Sequence, residues 1–411
     1  MKKKKILAIM ILGILLLNSL PSTAKAAPNK EQLYDDVIEF DEIAELVRLY
    51  NLTADSNQHN LSDLKEMVDK EEDGPSSPGG GQDETNTETP GSSMLELTKM
   101  LEDMKEIAED ESQDEATRNM ANGVISSLEN SIASMAAQEA MQGSLSGMGS
   151  GGSSLSTQEY ATYKWQFKQV EDQIVMGAQG LFPAYYQIEY NLEQLEANRS
   201  LLETSQKMAE LRSKLGMATA LDVAEASESV ISLNNTILSL TNQQNKLKQE
   251  LCKMLGRDYN ENITLGELPE LDWTYIVGMN LEKNKVTGSK NNYALSIKQN
   301  EVNQIGPGST TNSQVARNDF ENEKQTYYSK LDQQYQTVQE KKAELETETR
   351  KLEIEKTKAL SIEKKFELGM ISKFEYQSQI QNYINQETTV KTAKSTLGDA
   401  VNSYRWMLNG L

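Results

Sequence analysis

The side chains that carry most enzyme chemistry are scarce in this chain. It contains one cysteine, Cys252, and one histidine, His59. One residue of each kind cannot build a metal cluster or a thiol–imidazole pair, which excludes most hydrolytic and redox chemistry. Cys252 stands among leucine and methionine residues in a helical pattern, which favours an inert core position. We therefore predict a protein that is not an enzyme and that needs no cofactor and no metal.

Acidic residues are the remaining candidates for metal binding. Residues 71–73 and 83–84 form short acidic runs inside a stretch rich in glycine, proline and serine. These runs could bind calcium weakly, but their surroundings favour a solvated linker. The formal net charge of −21 disfavours nucleic acid as a partner.

A short turn motif occurs twice, and the rest of the sequence is arranged around it. Each copy has Leu-Gly-Met, a hydroxyl residue two positions later, and an acid three positions after that. The copies consist of Leu215, Gly216, Met217, Thr219 and Asp222, and of Leu368, Gly369, Met370, Ser372 and Glu375. Glycine accepts the left-handed conformation that ends many helices, and a hydroxyl residue three positions before an acid is a helix-capping pattern. Each copy therefore predicts the tip of a hairpin of two long helices.

Heptad patterns of apolar residues lead into and out of both turns. Gly216 and Gly369 are 153 residues apart, and the same offset carries Met254 onto Met407. A period this long indicates duplication of a whole helical unit. We predict an all-α fold with two internally repeated, long antiparallel coiled-coil hairpins, whose longer arms span roughly 80 Å. The protomer should be rod-like, with little or no β-structure.

The chain is predicted to divide into eight segments. They are a signal peptide (1–26), a short helical segment (27–69), a disordered acidic linker (70–93), the helix of the first half (94–142), a glycine- and serine-rich turn (143–157), the first long hairpin (158–256), a connecting belt (257–311) and the second long hairpin (312–411). The signal peptide has a basic start, an apolar core and small residues before Ala27, which predicts export. Gly177, Gly180 and Pro183 interrupt the first ascending helix, where we expect a kink or break.

These features together resemble the TolC-like outer-membrane efflux protein family. The resemblance rests on the signal peptide, the two diverged halves and the paired Leu-Gly-Met tips, and it covers most of residues 36–410. Residues 38–44 and 290–295 are also similar to the segments that open each half in that family.

The resemblance implies a homotrimer whose hairpins pack into a hollow α-helical barrel, a duct through which substrates leave the cell envelope. It implies two partners, a periplasmic adaptor protein and an inner-membrane transporter. The implied adaptor-docking residues are Leu215, Gly216, Met217, Thr219, Leu368, Gly369, Met370 and Ser372. Asp222 and Glu375 would form a constriction of the duct, where a ring of acids favours cations.

The sequence departs from the family before each ascending helix. There the family inserts strand hairpins that cross the outer membrane, and each strand needs about 9 to 11 residues. Residues 143–156 and 305–311 are short and rich in glycine instead. We therefore expect a divergent member that lacks those strands, located in the envelope, at an outer membrane if the assignment holds in full and otherwise outside the cytoplasm or at the cell surface.

A second interpretation remains open. Heptad seams alone are typical of any coiled coil, so the chain could be a secreted structural or scaffolding protein of the envelope. Heptads do not require matching Leu-Gly-Met tips in two halves, and this favours the duct.

Overall fold

The computed structural model describes residues 35–73, 91–111, 113–146, 156–305 and 310–411. The architecture below is that of the compact unit Val37–Leu411. Its helices are α1 (Ile43–Tyr50), α2 (Leu52–Asp73), α3 (Gly91–Glu109), α4 (Glu115–Ser146), α5 (Thr157–Lys214), α6 (Ala220–Met254), α7 (Trp273–Gly278), α8 (Leu281–Asn291), α9 (Tyr293–Gln304), α10 (Thr310–Glu367) and α11 (Lys373–Asn409). Two short strands, β1 (Val37–Ile38) and β2 (Thr264–Leu265), pair in parallel.

Two helical hairpins, α5–α6 and α10–α11, dominate the fold. Helices α5 and α10 have 58 residues each, about 87 Å at the usual rise of an α-helix. They begin at Thr157 and Thr310, so the offset that separates the turn motifs also separates the helices. The predicted all-α fold with two repeated long hairpins is confirmed.

Apolar seams hold each hairpin together. In the second hairpin, Leu331, Val338 and Leu345 recur every seven residues on α10 and are buried against Leu397 and Tyr404 of α11. A seven-residue repeat keeps one face of a helix against its partner over many turns. In the first hairpin, Leu233, Leu240 and Leu247 of α6 follow the same repeat and are buried.

Helix α11 joins the second hairpin to the first by packing against α5. The Thr388 hydroxyl donates to the Tyr190 carbonyl at 3.5 Å, and Lys391 lies 3.2 Å from Glu193. Further along, the Gln187 amide donates to the Ser395 hydroxyl at 3.2 Å. Over a longer stretch, Gln381 of α11 contacts Gln194 of α5, whereas Asn402 contacts Gln179. The residue numbers therefore rise on α11 as they fall on α5, and these helices are antiparallel.

Helix α4 lies against both α5 and α11. The Ser131 hydroxyl donates to the Gly177 carbonyl of α5 at 2.9 Å, and Ser127 donates to Asp399 of α11 at 3.4 Å. The expectation of a break in α5 is wrong, because the helix runs unbroken through Gly177, Gly180 and Pro183. The close contacts with α4 stabilise α5 in this region. Glycine has no side chain to hold α4 away, and tertiary packing outweighs the one hydrogen bond that proline removes.

An ion pair between the half-exposed Arg48 and the buried Asp172 ties α1 to α5, and Tyr293 of α9 joins it. Arg48 donates to Asp172 at 2.7 Å and to Glu171 at 2.8 Å, and the Tyr293 hydroxyl donates to the other oxygen of Asp172 at 2.5 Å. Asp172 is almost fully buried, so its carboxylate relies on these two donors for hydrogen bonds in place of water.

The connecting segments contain more structure than the sequence predicted. Residues 94–142, expected as one helix, hold most of α3 and α4, and the belt 257–311 holds β2, α7, α8 and all of α9. The signal peptide, most of the acidic linker and most of the two glycine-rich segments before α5 and α10 lie outside the described residues. None of the described helices combines the length and apolar content that crossing a bilayer requires.

Candidate functional site at the hairpin tips

The first tip (residues 215–222) is a tight turn built by backbone hydrogen bonds. The Met217 amide donates to the Arg212 carbonyl at 2.8 Å, and the Gly216 amide donates to the Ser213 carbonyl at 2.9 Å. This pair of bonds is a Schellman motif, which requires a left-handed residue just past the helix. Gly216 supplies it with φ of 70°.

A reciprocal cap then starts α6. The Asp222 amide donates to the Thr219 hydroxyl at 3.1 Å, while the Thr219 amide donates back to the Asp222 carboxylate at 2.6 Å. The Thr219 hydroxyl also donates to that carboxylate, at 2.9 Å. The hydrogen bond from the Thr219 amide, and after it the one from the Thr219 hydroxyl, lowers the pKa of the Asp222 carboxyl. Both hydrogen bonds stabilise the charged form.

The second tip (residues 368–375) repeats this geometry. The Met370 amide donates to the Lys365 carbonyl at 2.9 Å, the Gly369 amide donates to the Phe366 carbonyl at 3.0 Å, and φ of Gly369 is again 70°. The Glu375 amide donates to the Ser372 hydroxyl at 3.1 Å, which starts α11. The left-handed glycines and hydroxyl caps that the motif predicts are therefore present in both halves.

The side chains at both tips are apolar and exposed. Leu215 and Met217 are 65% and 66% exposed, and Leu368 and Met370 are 75% and 68% exposed. A β-carbon added at Gly216 or Gly369 would meet no atom within 4 Å. The glycines are thus required by backbone conformation, and the apolar side chains around them are exposed.

Sequence reasoning missed two further features of the tips. Leu221, in the first turn of α6, is 65% exposed and extends the apolar surface of the first tip. At the second tip, the rings of Phe366 and Tyr376 stack with centroids 4.6 Å apart, which braces α10 against α11. A signal for this contact was available, since one aromatic residue lies at the end of α10 and the other in the first turn of α11.

The other candidate side chains lie apart from the tips. Cys252 is buried, and burial raises the pKa of its thiol, which keeps it protonated. His59 is an exposed residue of α2 beside Asp55. No cluster of potential metal ligands occurs within the described parts of the chain.

Comparison with known proteins identifies the fold. No family model and no curated protein matches the sequence. The chain is similar in structure to the outer membrane protein VceC from Vibrio cholerae, with a TM-score of 0.52 and 8% identity over 90% of this chain and 96% of that one. It is also similar to CusC, whose structures concern folding and transmembrane channel formation, with a TM-score of 0.50 and 11% identity over 85% of this chain and 96% of that one. The predicted resemblance to outer-membrane channel proteins is confirmed at the level of the fold.

Proposed function

We propose that this protein is a TolC-like component of an efflux or export system, in which several copies form an α-helical duct in the cell envelope. Two observations support the proposal. The fold is that of outer-membrane channel proteins, and the chain carries two long hairpins of matched length with the same turn at their ends.

The exposed tips give the proposal its strongest support. A soluble protein gains nothing in stability from four large apolar side chains held in water, and such surfaces mark sites of interaction. In this proposal both tips dock onto the helical hairpin of an adaptor protein, and the adaptor couples the duct to a transporter in the cytoplasmic membrane. The side chains of Leu215, Met217, Leu368 and Met370 provide the contact, while Gly216 and Gly369 set the shape of the turn.

Asp222 and Glu375 follow directly after the docking turns. In a closed assembly, each copy contributes both acids to the narrow end of the duct. A ring of carboxylates attracts cations and repels anions, so this end would favour the passage of cationic substrates. The cap at Thr219 holds the Asp222 carboxylate in its charged form, which suits this role.

The remaining parts of the proposal follow from the sequence. Residues 1–26 direct export by their signal-peptide pattern, and the family resemblance implies a homotrimer in the cell envelope.

The test is a double substitution at the tips, Met217→Glu with Met370→Glu. Both side chains are exposed, so the fold should be unchanged, whereas two charges on each copy should prevent apolar docking. A matched control places two glutamates on α2, at Leu52 and Met67, which are 76% and 54% exposed. Affinity capture from envelope extracts, followed by mass spectrometry, compares the two variants with the native protein.

We expect the tip variant to lose an adaptor-like partner that both the native protein and the α2 control retain. Recovery of the same partners in the same amounts by all three proteins would refute docking at the tips. The chain would then be better described as a coiled-coil scaffolding protein of the envelope.

A further inference from the structure

We propose that a cavity between α5, α11 and the loop 267–272 binds a small organic cation, and that Asp399 provides the counter-charge inside it. The cavity lies within one chain, and Asp399 is roughly 45 Å from the second tip along α11. The inference therefore goes beyond the proposed function and does not depend on the duct.

The cavity has the size and the lining of a small-molecule site. Its volume is about 450 Å³, within the range of pockets that bind small ligands. It is lined by Tyr186 and Tyr190 of α5, by Val401 of α11, and by Leu268 and Leu271 of the loop before α7. Apolar and aromatic walls with a few polar groups among them are typical of such sites.

Two residues that weaken helices line the cavity from the middle of long helices. Pro183 of α5 removes a backbone hydrogen bond, and Gly398 of α11 contributes no side chain. A β-carbon added at Gly398 would meet Leu271 at 3.6 Å and no other described atom within 4 Å. The counterparts of these residues, 153 positions away, are Gln336 on α10 and Asn245 on α6. Proline and glycine thus occur on the two helices that line the cavity and not at the matching positions of the other two.

Asp399 is the carboxyl group that this cavity shares with a second one, of about 210 Å³. The Ser127 hydroxyl donates to it at 3.4 Å. Burial raises its pKa to about 6, and the hydrogen bond from Ser127 opposes this shift only in part. A carboxylate in such surroundings costs stability unless a cation reaches it, and residues of this kind cluster at functional sites.

The cationic side chains in the cavity wall are already engaged with other acids. The three pairs are Lys391 with Glu193 at 3.2 Å, Lys394 with Glu270 at 3.8 Å, and Arg405 with Asp272 at 3.3 Å. On the side of the second cavity, the pairs are Glu129 with Lys105 at 3.4 Å and Lys341 with Glu344 at 2.9 Å. Among the described residues, the ionised Asp399 therefore has no ion-pair partner.

The acids left after this pairing make the cavity negative. They are Asp399 itself and two exposed residues of the wall, Asp41 and Glu267. A cleft lined by one sign of charge raises the local concentration of ligands of the opposite sign. The charge that this cavity selects is positive.

The tyrosine rings suit the apolar part of such a ligand. The ammonium group of Lys391 lies 5.2 Å from the centroid of the Tyr190 ring, so this ring already attracts a cation. The Tyr186 hydroxyl donates to the Gly266 carbonyl at 2.5 Å, which ties its ring to the loop. A ligand with an apolar body and one ammonium group would contact the rings and place its charge near Asp399.

Isothermal titration calorimetry of the purified full chain with benzyltrimethylammonium tests the site. The charge of this probe does not change with pH, so any pH dependence comes from the protein. Because a carboxyl group with a pKa of about 6 is about one-tenth ionised at pH 5, we expect the Kd to be about tenfold higher at pH 5 than at pH 8. Benzyl alcohol and benzoate, which lack the positive charge, should bind at least about tenfold more weakly.

Three variants separate the charge from the space. Asp399→Asn keeps the shape of the side chain, and it should raise the Kd at pH 8 at least about tenfold and remove the pH dependence. Gly398→Leu fills the cavity without changing a charge and should abolish binding. Asp319→Asn, at an exposed position of α10, should leave the Kd unchanged. Circular dichroism of each variant verifies that the helices are intact.

Three results would overturn the site. The first is the absence of saturable binding of benzyltrimethylammonium to the native protein. The second is an unchanged Kd in folded Asp399→Asn, which places the binding elsewhere and needs no result from Gly398→Leu. The third is equal affinity for benzyl alcohol, which would show an apolar pocket without charge selection. None of these results bears on the partners of the tips, so the site and the duct can fail separately.

Discussion

Asp399 should make the stability of this protein depend on pH in a direction opposite to that of most carboxylates. The residue lies on α11 against Ser127 of α4, and burial raises its pKa to about 6, from an ordinary value near 3.9. The folded state therefore binds more protons than the unfolded state between about pH 4 and 6. Stability is greatest at the acidic side of this window and falls as the pH rises through it.

The size of the effect follows from the same shift. A difference of about two pKa units corresponds to roughly 3 kcal/mol above pH 7. Water reaches part of this side chain, which is only partly buried by surface area, so solvent screening should reduce the effect to about 1–2 kcal/mol. Asp399→Asn keeps the shape and removes the charge. It should stabilise the protein by this amount at pH 8, and by about half as much at pH 5.

Urea unfolding, monitored by circular dichroism from pH 5 to pH 8, measures the difference between the variant and the native protein. The matched control is Asp319→Asn on α10, an exposed aspartate, for which the difference should stay near zero at every pH. If Asp399→Asn destabilises the protein at pH 8, or if the difference does not change with pH, then Asp399 is charged and well solvated in the folded state, and the reasoning fails.

A further prediction concerns packing. Arg48→Ala should lower the free energy of unfolding by about 3 kcal/mol, because it leaves the buried Asp172 carboxylate with Tyr293 as its remaining partner. Arg199→Ala removes an arginine of the same 39% exposure from a surface pair with Glu196, and should cost less than about 1 kcal/mol in the same urea titration.

The hairpins could be predicted from the sequence because their information is local. Leu-Gly-Met, a hydroxyl residue and an acid specify the turn through hydrogen bonds among neighbouring residues, and both turns have the geometry expected. The heptad repeats need no knowledge of a partner, since the period alone identifies the buried face.

The parts that could not be predicted depend on contacts between distant residues. Pro183 breaks a helix by its local preference, but the packing of α5 against its neighbours overrides that preference. The parallel pair of β1 and β2 joins residues more than two hundred positions apart through two-residue strands, which are too short to leave a pattern. The tip residues could be located from sequence, but their partner could be named only through the family resemblance.

The equal length of α5 and α10 restricts how this protein can change in evolution. Removing one heptad from each arm of a single hairpin would draw its tip back by about 10 Å relative to the other. In the docking proposed above, both tips could then no longer meet the same partner, although each hairpin would still fold. Length changes in one half should therefore survive only when the other half changes by the same number of residues. Homologous chains would then differ in hairpin length by whole heptads, with one heptad inserted or lost in each of the four arms together.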